Sequence, residues 1–508
     1  RDFPEYPIFN SFDQSYVYYD KDEILEGVYD RTRFYFQVDP FKVDSLDNFD
    51  NKQLRFEGTF TSAGIFPEFK ETLRLQPDFS LGFVRATPES GYPTYGGKGQ
   101  FYNTINMSHD GLRGDGKLEY LASTTYSDDF IFYPDSMETK SQRYLVEEAD
   151  EGIEFPAVIG KRNEIFWLPY DDVLYSTTTD TGMAFYDGKS FFEGTTNIRP
   201  DGYRGDGIYL FEKADLSSNQ FVFKSKTFDA DTSAFRLKDE GAQAFSLKTE
   251  NVNAHVDYKG RFAEFKANGK IDPIEFPVVQ YICYMEEFKW YMDNGKIDLI
   301  GSSSKSVAAD VNLEGSKFIS TNPKQDSLFF YAPIGTYDSR KHVLSASEID
   351  YISSADARIY PDSGFATIRK QANMDPLENS RIVANSVTEY HNIYNATTKI
   401  FGRKDYRSRG FTDYVDVKAN TQTIYLDEVG VDTTGQTIAS GRISDTVDFT
   451  LSPQFTFIGG VKLFANKEFL VFDGATKINH DCERLMRPMI KFEAEIDPRE
   501  IYIPIDSN

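Results

Sequence analysis

The sequence predicts an all-β protein made of repeated β units, stacked as a solenoid or as successive β-sandwich or jelly-roll layers, with little helix. Three observations carry this: an aromatic content dominated by Phe and Tyr, a large supply of turn-forming residues, and a long internal repeat. The 508 residues include 44 Phe and 32 Tyr against 2 Trp, and Phe and Tyr suit the pleated, half-buried surface of a sheet. The 35 Gly and 21 Pro punctuate such a chain with turns. Hydrophobic residues make up 40% and charged residues 27%, which sets aside a disordered or collagen-like chain.

The repeat is the strongest signal. Residues 95–132 align without a gap on 186–223, with 15 identities in 38 positions. The centre reads Asp110-Gly-Leu-Arg-Gly-Asp-Gly116 in one copy and Asp201-Gly-Tyr-Arg-Gly-Asp-Gly207 in the other. Phe101 matches Phe192, Asn106 matches Asn197, and Phe130-Ile-Phe132 matches Phe221-Val-Phe223. Each copy reads as a strand entering an Asp-Gly hairpin turn, where glycine accepts a positive φ, then a second Gly-Asp-Gly and further strands. A weaker echo at 327–346 keeps the strand and turn without the glycine-rich centre.

Apolar residues at period two continue along the chain, so Gly460–Ala465, Phe469–Phe472, Thr423–Val431 and Arg499–Ile505 are predicted strands. Helical signals reduce to short turns at Lys370–Met374 and Cys482–Met486. Repeats that cannot bury their own faces stack on their neighbours. The predicted division is a leading β segment of 1–94, β repeat units of 95–185 and 186–310, and a C-terminal β region of 311–508, with the serine-rich joint 302–306 before the last.

Charge removes several function classes. Lys and Arg number 55 and Asp and Glu 80, a formal charge of -25, which opposes nucleic acids and anionic lipid surfaces. No nucleic-acid partner is expected. The acidic surface leaves calcium as an open question. No apolar run reaches the roughly 18 residues of a membrane-spanning helix, so none is expected. The start at Arg1-Asp2-Phe3, without an initiator Met or an apolar leader, reads as a processed product or a piece of a longer chain.

Catalytic motifs do not emerge. Cys283 and Cys482 lie far apart and form neither a zinc spacing nor a disulfide framework, so both read as buried thiols. The histidines His109, His255, His342, His391 and His480 share no metal-binding spacing. His480-Asp481-Cys482 puts imidazole, carboxylate and thiol in sequence, but strand neighbours point to opposite faces. No Gly-x-Ser-x-Gly, Walker A loop or dinucleotide fingerprint occurs. Trp167 and Trp290 sit in apolar strand-like settings, which favours the core over sugar platforms. The pairs Asp110/Asp115 and Asp201/Asp206 form the one recurrent charge constellation. Arg113 and Arg204 stand between them, so the expected role is a clamp that neutralises those carboxylates and sets hairpin register. No catalytic residue, no cofactor and no defined metal ligand follows.

The runs Asp338–Ala346, Ile349–Ile352 and Ala355–Pro361, with Ile-Glu-Phe-Pro at both 153–156 and 274–277, resemble large uncharacterised cell-envelope repeat proteins of Bacteroidota. The strand pairs of 457–478 bear a looser likeness to the stacked β-jelly-roll proteins that carry lipopolysaccharide between membranes. The Asp-Ser/Thr-apolar triplets at 44–46, 135–137, 326–328 and 445–447 look like sites O-glycosylated in exported proteins of that phylum. The resemblance implies an extracytoplasmic location: periplasm, outer-membrane-associated or cell surface. The function expected is a non-enzymatic scaffold with protein partners in an envelope or surface assembly, lipid or glycan being further ligand classes. Two alternatives stand beside it: a lipid or glycolipid conduit with an apolar groove, and a polysaccharide hydrolase or lyase on a β-solenoid.

Overall fold

A computed structural model describes residues 8–44, 54–239, 244–301, 305–308, 311–482 and 486–503. About 60% of the chain is strand and 4% is helical, all of it in short 3-10 turns among the described residues. The protein is all-β, and its sheets are antiparallel. It separates into two compact units. The first holds residues 1–233 and 254–260, the second 234–253 and 261–508.

Unit 1 is built from rows that bend. The long strand Ser123–Phe132 is followed by three rows, each made of two short strands that meet at a corner: Met137–Lys140 with Arg143–Val146, Val158–Gly160 with Glu164–Leu168, and Val173–Thr177 with Met183–Phe185. The long strand Ser190–Arg199 closes the set. Pairing therefore splits into two ladders. One runs from the Phe130 end of the first long strand through 137–140, 164–168 and 173–177 to 190–199. The other runs from its Ser123 end through 143–146, 158–160 and 183–185 to the same last strand.

Side chains alternate along every row, and one face of each ladder turns inward. The ladders meet there: Met183 Sδ of one lies 3.6 Å from Ser176 Oγ of the other. The interior is filled. Trp167, Tyr144, Phe185, Phe192 and Tyr203 have at most 0% exposure, and burying rings of this size stabilises the fold by roughly 2–3 kcal/mol each.

At the corners small polar side chains add hydrogen bonds to backbone groups, beside the backbone bonds from Ser141 N–H to Asn163 O and from Thr178 N–H to Gly194 O. Ser141 Oγ donates to Asn163 O and accepts from Asn163 N–H; Thr178 Oγ1 donates to Gly194 O and accepts from Gly194 N–H. Ser127 Oγ donates to Lys140 O at 2.9 Å, and Ser218 Oγ to Asp231 O at 2.5 Å.

The repeat occupies this same line of corners. The turns are His109-Asp110 and Pro200-Asp201, with Gly111 and Gly202 at positive φ just after them. Five residues further, Gly116 (φ +147°) and Gly207 (φ +155°) sit at bulges directly opposite Ser127 and Ser218. The last glycine of each motif is thus a point where the sheet bends.

Unit 2 repeats the plan. One ladder joins 274–276, 281–283, 316–320, 329–332, 352–354, 357–360 and 377–384; the other joins 262–267, 287–291, 296–300, 334–338, 343–347 and 366–369. Phe276 and Tyr337 pack across them at 4.7 Å. Long strands then take over, from His391–Gly402 through Asp405–Val415, Thr421–Val431, Thr437–Ile443, Phe455–Phe464 and Val471–Ile478 to Met489–Glu495.

Two predicted elements come out differently. Lys370–Ala372 forms a 3-10 turn and Asn373–Met374 is already strand. The described part of the predicted strand Arg499–Ile505 makes only an isolated bridge, Asp497 to Glu500, and the Arg499 side chain folds back on Asp497. The predicted turn at 482–486 and the joint at 302–306 lie largely outside the described residues.

Candidate interaction surface

The histidines do not converge. His109 is in the exposed turn, where its N–H donates to Asp78. His255 meets Asp229 at 2.6 Å on the surface. His391 Nε2–H donates to Lys467 O at 2.8 Å, and burial pushes its pKa below the usual imidazole range. His480 and the exposed Cys482 belong to no group of three metal-ligating side chains among the described residues. Cys283 is buried and free, its thiol pKa pushed up by desolvation; the thiolate that nucleophilic chemistry needs is disfavoured there.

Only His342 stands in a line of functional groups, with Nε2 3.3 Å from Asp239 and Nδ1 3.5 Å from Tyr337 Oη. This juxtaposition escaped sequence reading because Asp239 lies far before the hairpin that carries Tyr337 and His342. Both His342 and Tyr337 are buried, and burial drives the phenol pKa upward, which keeps the phenol neutral.

Trp167 and Trp290 are core residues. Trp167 packs edge-on against Tyr95 at 5.2 Å and tilted against Tyr120 at 5.1 Å. The repeat arginines meet the sequence expectation only in part: Arg204 clamps Asp201 as expected, and Arg113 takes a carboxylate outside the motif. Arg113 grips Asp129 across the sheet through Nη1 at 2.6 and 2.7 Å and donates from Nε to Asp110 O. Arg204 grips Asp201 with both Nη atoms at 2.9 Å. Neither holds Asp115 or Asp206, which project from the outer face at the bulges. At about 3.3 Å per residue, Asp110 and Asp115 lie on the order of 16 Å apart along the strand, too far to share an ion.

On the outer face of the first ladder, a shallow concavity of about 670 Å³ holds Phe166 among Asp129, Glu138, Lys140 and Glu164. Three of its carboxylates face partners: Asp129 has Arg113, Glu138 accepts from Tyr133 Oη at 2.7 Å, and Glu164 lies 3.7 Å from Lys140; Asp128 lines it as well.

The outer face of the second ladder has another character. Residues directly opposite one another on neighbouring strands share a face. Leu145, Ile159, Ala184, Phe191 and Leu210 follow one another across five strands in such a row. Ile159 is 47% and Phe191 42% exposed, and the nearby Ile208 41%. Along the next row Arg143 stands opposite Tyr126, with Lys161 just past Gly160, the residue opposite Tyr144. Both cations are exposed, and no ion pair engages them among the described residues. No sequence window shows this patch, because its members are spread from 143 to 210.

No family model matches the chain, and no curated protein matches it.

Proposed function

We propose that the protein is a non-enzymatic scaffold or interaction protein of the cell envelope or surface, which presents the faces of folded β-sheets to protein partners. The apolar row of Leu145, Ile159, Ala184, Phe191 and Leu210 carries this reading. Contiguous exposed apolar residues on a sheet face mark interaction sites, and this row lies on a chain of net charge -25 that is otherwise well suited to stay apart from its neighbours. The filled interiors weigh against a lipid conduit, and the engagement of Asp129 by Arg113 and of Glu138 by Tyr133 in the outer concavity weighs against a polysaccharide hydrolase or lyase.

The extracytoplasmic location rests on the resemblance to envelope proteins. It is supported by the positions of the Asp-Ser/Thr-apolar triplets: Ser136, Ser327 and Thr446 lie in turns, the last two exposed, while Ser45 lies outside the described residues. The test is a photo-cross-linking residue at Ile159 or Phe191, used in the envelope fraction of the native host. A single recurrent protein adduct from both positions, lost in an Arg143→Glu/Lys161→Glu variant with an unchanged circular dichroism spectrum, is the expected result. Adducts no different from those of an exposed control position such as Tyr425 would sink the reading.

A further inference from the structure

Unit 1 ends in a strand whose outer edge is unguarded. Ser15–Tyr18 pairs with Phe34–Val38 and, among the described residues, with no other strand, so its far side offers free N–H and C=O groups. Natural sheets protect such edges with proline, charge or a bulge. The last strand of unit 2, Met489–Glu495, is protected in this way: Pro488 and Pro498 flank it, and Lys491, Glu493 and Glu495 project from it exposed. Ser15–Tyr18 contains no proline, charged residue or bulge, and its protection is limited to its length of four residues and to Arg31, 5.2 Å over the Tyr18 ring. Tyr16 and Tyr18 are 46% and 41% exposed, their rings stacked at 5.9 Å, and Phe12 is 85% exposed.

We infer that the Ser15–Tyr18 edge is a self-association surface, at which two copies of the chain pair this strand antiparallel about a twofold axis and join Tyr16 and Tyr18 of each into one aromatic cluster. A strand meets its own copy antiparallel without needing a second, different surface, which is the geometry of an isologous dimer. Charge selects this place for a second copy. Two chains of net charge -25 repel wherever their acidic faces meet, yet from Ile8 to Tyr18 the one charged residue is Asp13. Exposed cross-strand aromatic pairs add attraction beyond the backbone bonds. The inference is independent of the scaffold reading, which a monomer would leave standing.

Sedimentation of the full chain from about 1 to about 100 µM tests it. The expected result is a dimer that grows with concentration and is weakened at least about tenfold in Tyr16→Glu/Tyr18→Glu and in Tyr16→Lys/Tyr18→Lys, where like charges meet across the axis. Mixing the two variants restores dimer as a Glu–Lys heterodimer, and Tyr425→Glu in unit 2 changes nothing. Both tyrosines are exposed, so the variants fold, and circular dichroism verifies this. A monomer throughout the range, a dimer indifferent to both variants, or a mixture that stays monomeric overturns the inference; the last two assign the association to another surface or another strand.

Discussion

The two copies of the repeat share their aromatic geometry almost atom for atom and differ in their ion pairs. In the first, Phe101 meets Phe130 and Phe132 edge-on, both at 5.3 Å; in the second, Phe192 meets Phe221 and Phe223 edge-on at 5.4 and 5.5 Å. The buried glycine of each Arg-Gly-Asp-Gly, Gly114 or Gly205, provides the room, since a Cβ there would lie 2.6 Å from Phe101 Cζ or 2.9 Å from Phe192 Cζ. The arginines choose unlike partners, Asp129 across the sheet in one copy and Asp201 in its own turn in the other. The repeat is therefore a device for bending a sheet, made of glycine, serine and phenylalanine, and the charges on its outer face are interchangeable fittings.

If that is so, the largest losses come from the shared apolar parts and match between copies. Phe101→Ala and Phe192→Ala each remove a fully buried ring and should each destabilise unit 1 by about 3–5 kcal/mol. Melting and denaturant curves of the two variants measure this. A loss above 3 kcal/mol in one copy beside a negligible one in the other would break the equivalence.

Gly116→Ala and Gly207→Ala come next. Both positions have positive φ, and a Cβ would lie 2.0 Å from Tyr102 O or 2.1 Å from Glu193 O. Those are backbone atoms within paired strands, so relief requires opening the bulge; we expect about 3 kcal/mol at each site. Gly114→Ala and Gly205→Ala are milder, about 1–3 kcal/mol, because the obstructing atoms are the ends of rings that can tilt. The tighter fit at Gly114 puts its cost above that at Gly205. The reverse order in equilibrium unfolding would show that the two Phe clusters are not equally rigid.

Much of this was legible in the sequence, and the parts that were not share a cause. Period-two alternation exposed the strands, and the glycine motif marked the bending point because only glycine tolerates that backbone. The corners at Ser141, Asn163 and Thr178 carry no such mark. They bend without proline, the Ser141 and Thr178 hydroxyls bonding backbone carbonyls and the Asn163 amide donating to Ser176 Oγ, so they read as ordinary strand residues. The splitting of each long strand between two ladders follows from those corners and was equally hidden. Arg113 looked like the partner of Asp115 because they are near in sequence and share the outer face of one strand, but its guanidinium reaches across to Asp129 on the next strand instead. The apolar row of Ile159 and Phe191 needed the register of five strands before it existed as a surface.

The smallest expected effect tests the exchangeable part of the repeat. Hydrogen bonds from Arg204, and then its charge, hold the Asp201 carboxyl below the usual carboxylate range. A carboxyl whose pKa is depressed in the folded state contributes stability that is fully present above its unfolded pKa, about 3.9, and is lost as pH falls through the lower folded value. The difference in melting temperature between the protein and Arg204→Ala should therefore be constant from about pH 5 upward and should close below about pH 4. It should also shrink with added salt, because the pair faces solvent. Arg113→Ala should leave the Arg204 difference unchanged at every pH, since the two pairs share no partner. A metal held by the repeat carboxylates would act otherwise, and a chelator would then lower the melting temperature at neutral pH. We expect no chelator effect; one that disappears in Asp115→Asn or Asp206→Asn would mean that these side chains bind a cation and that the charges of the repeat are not interchangeable.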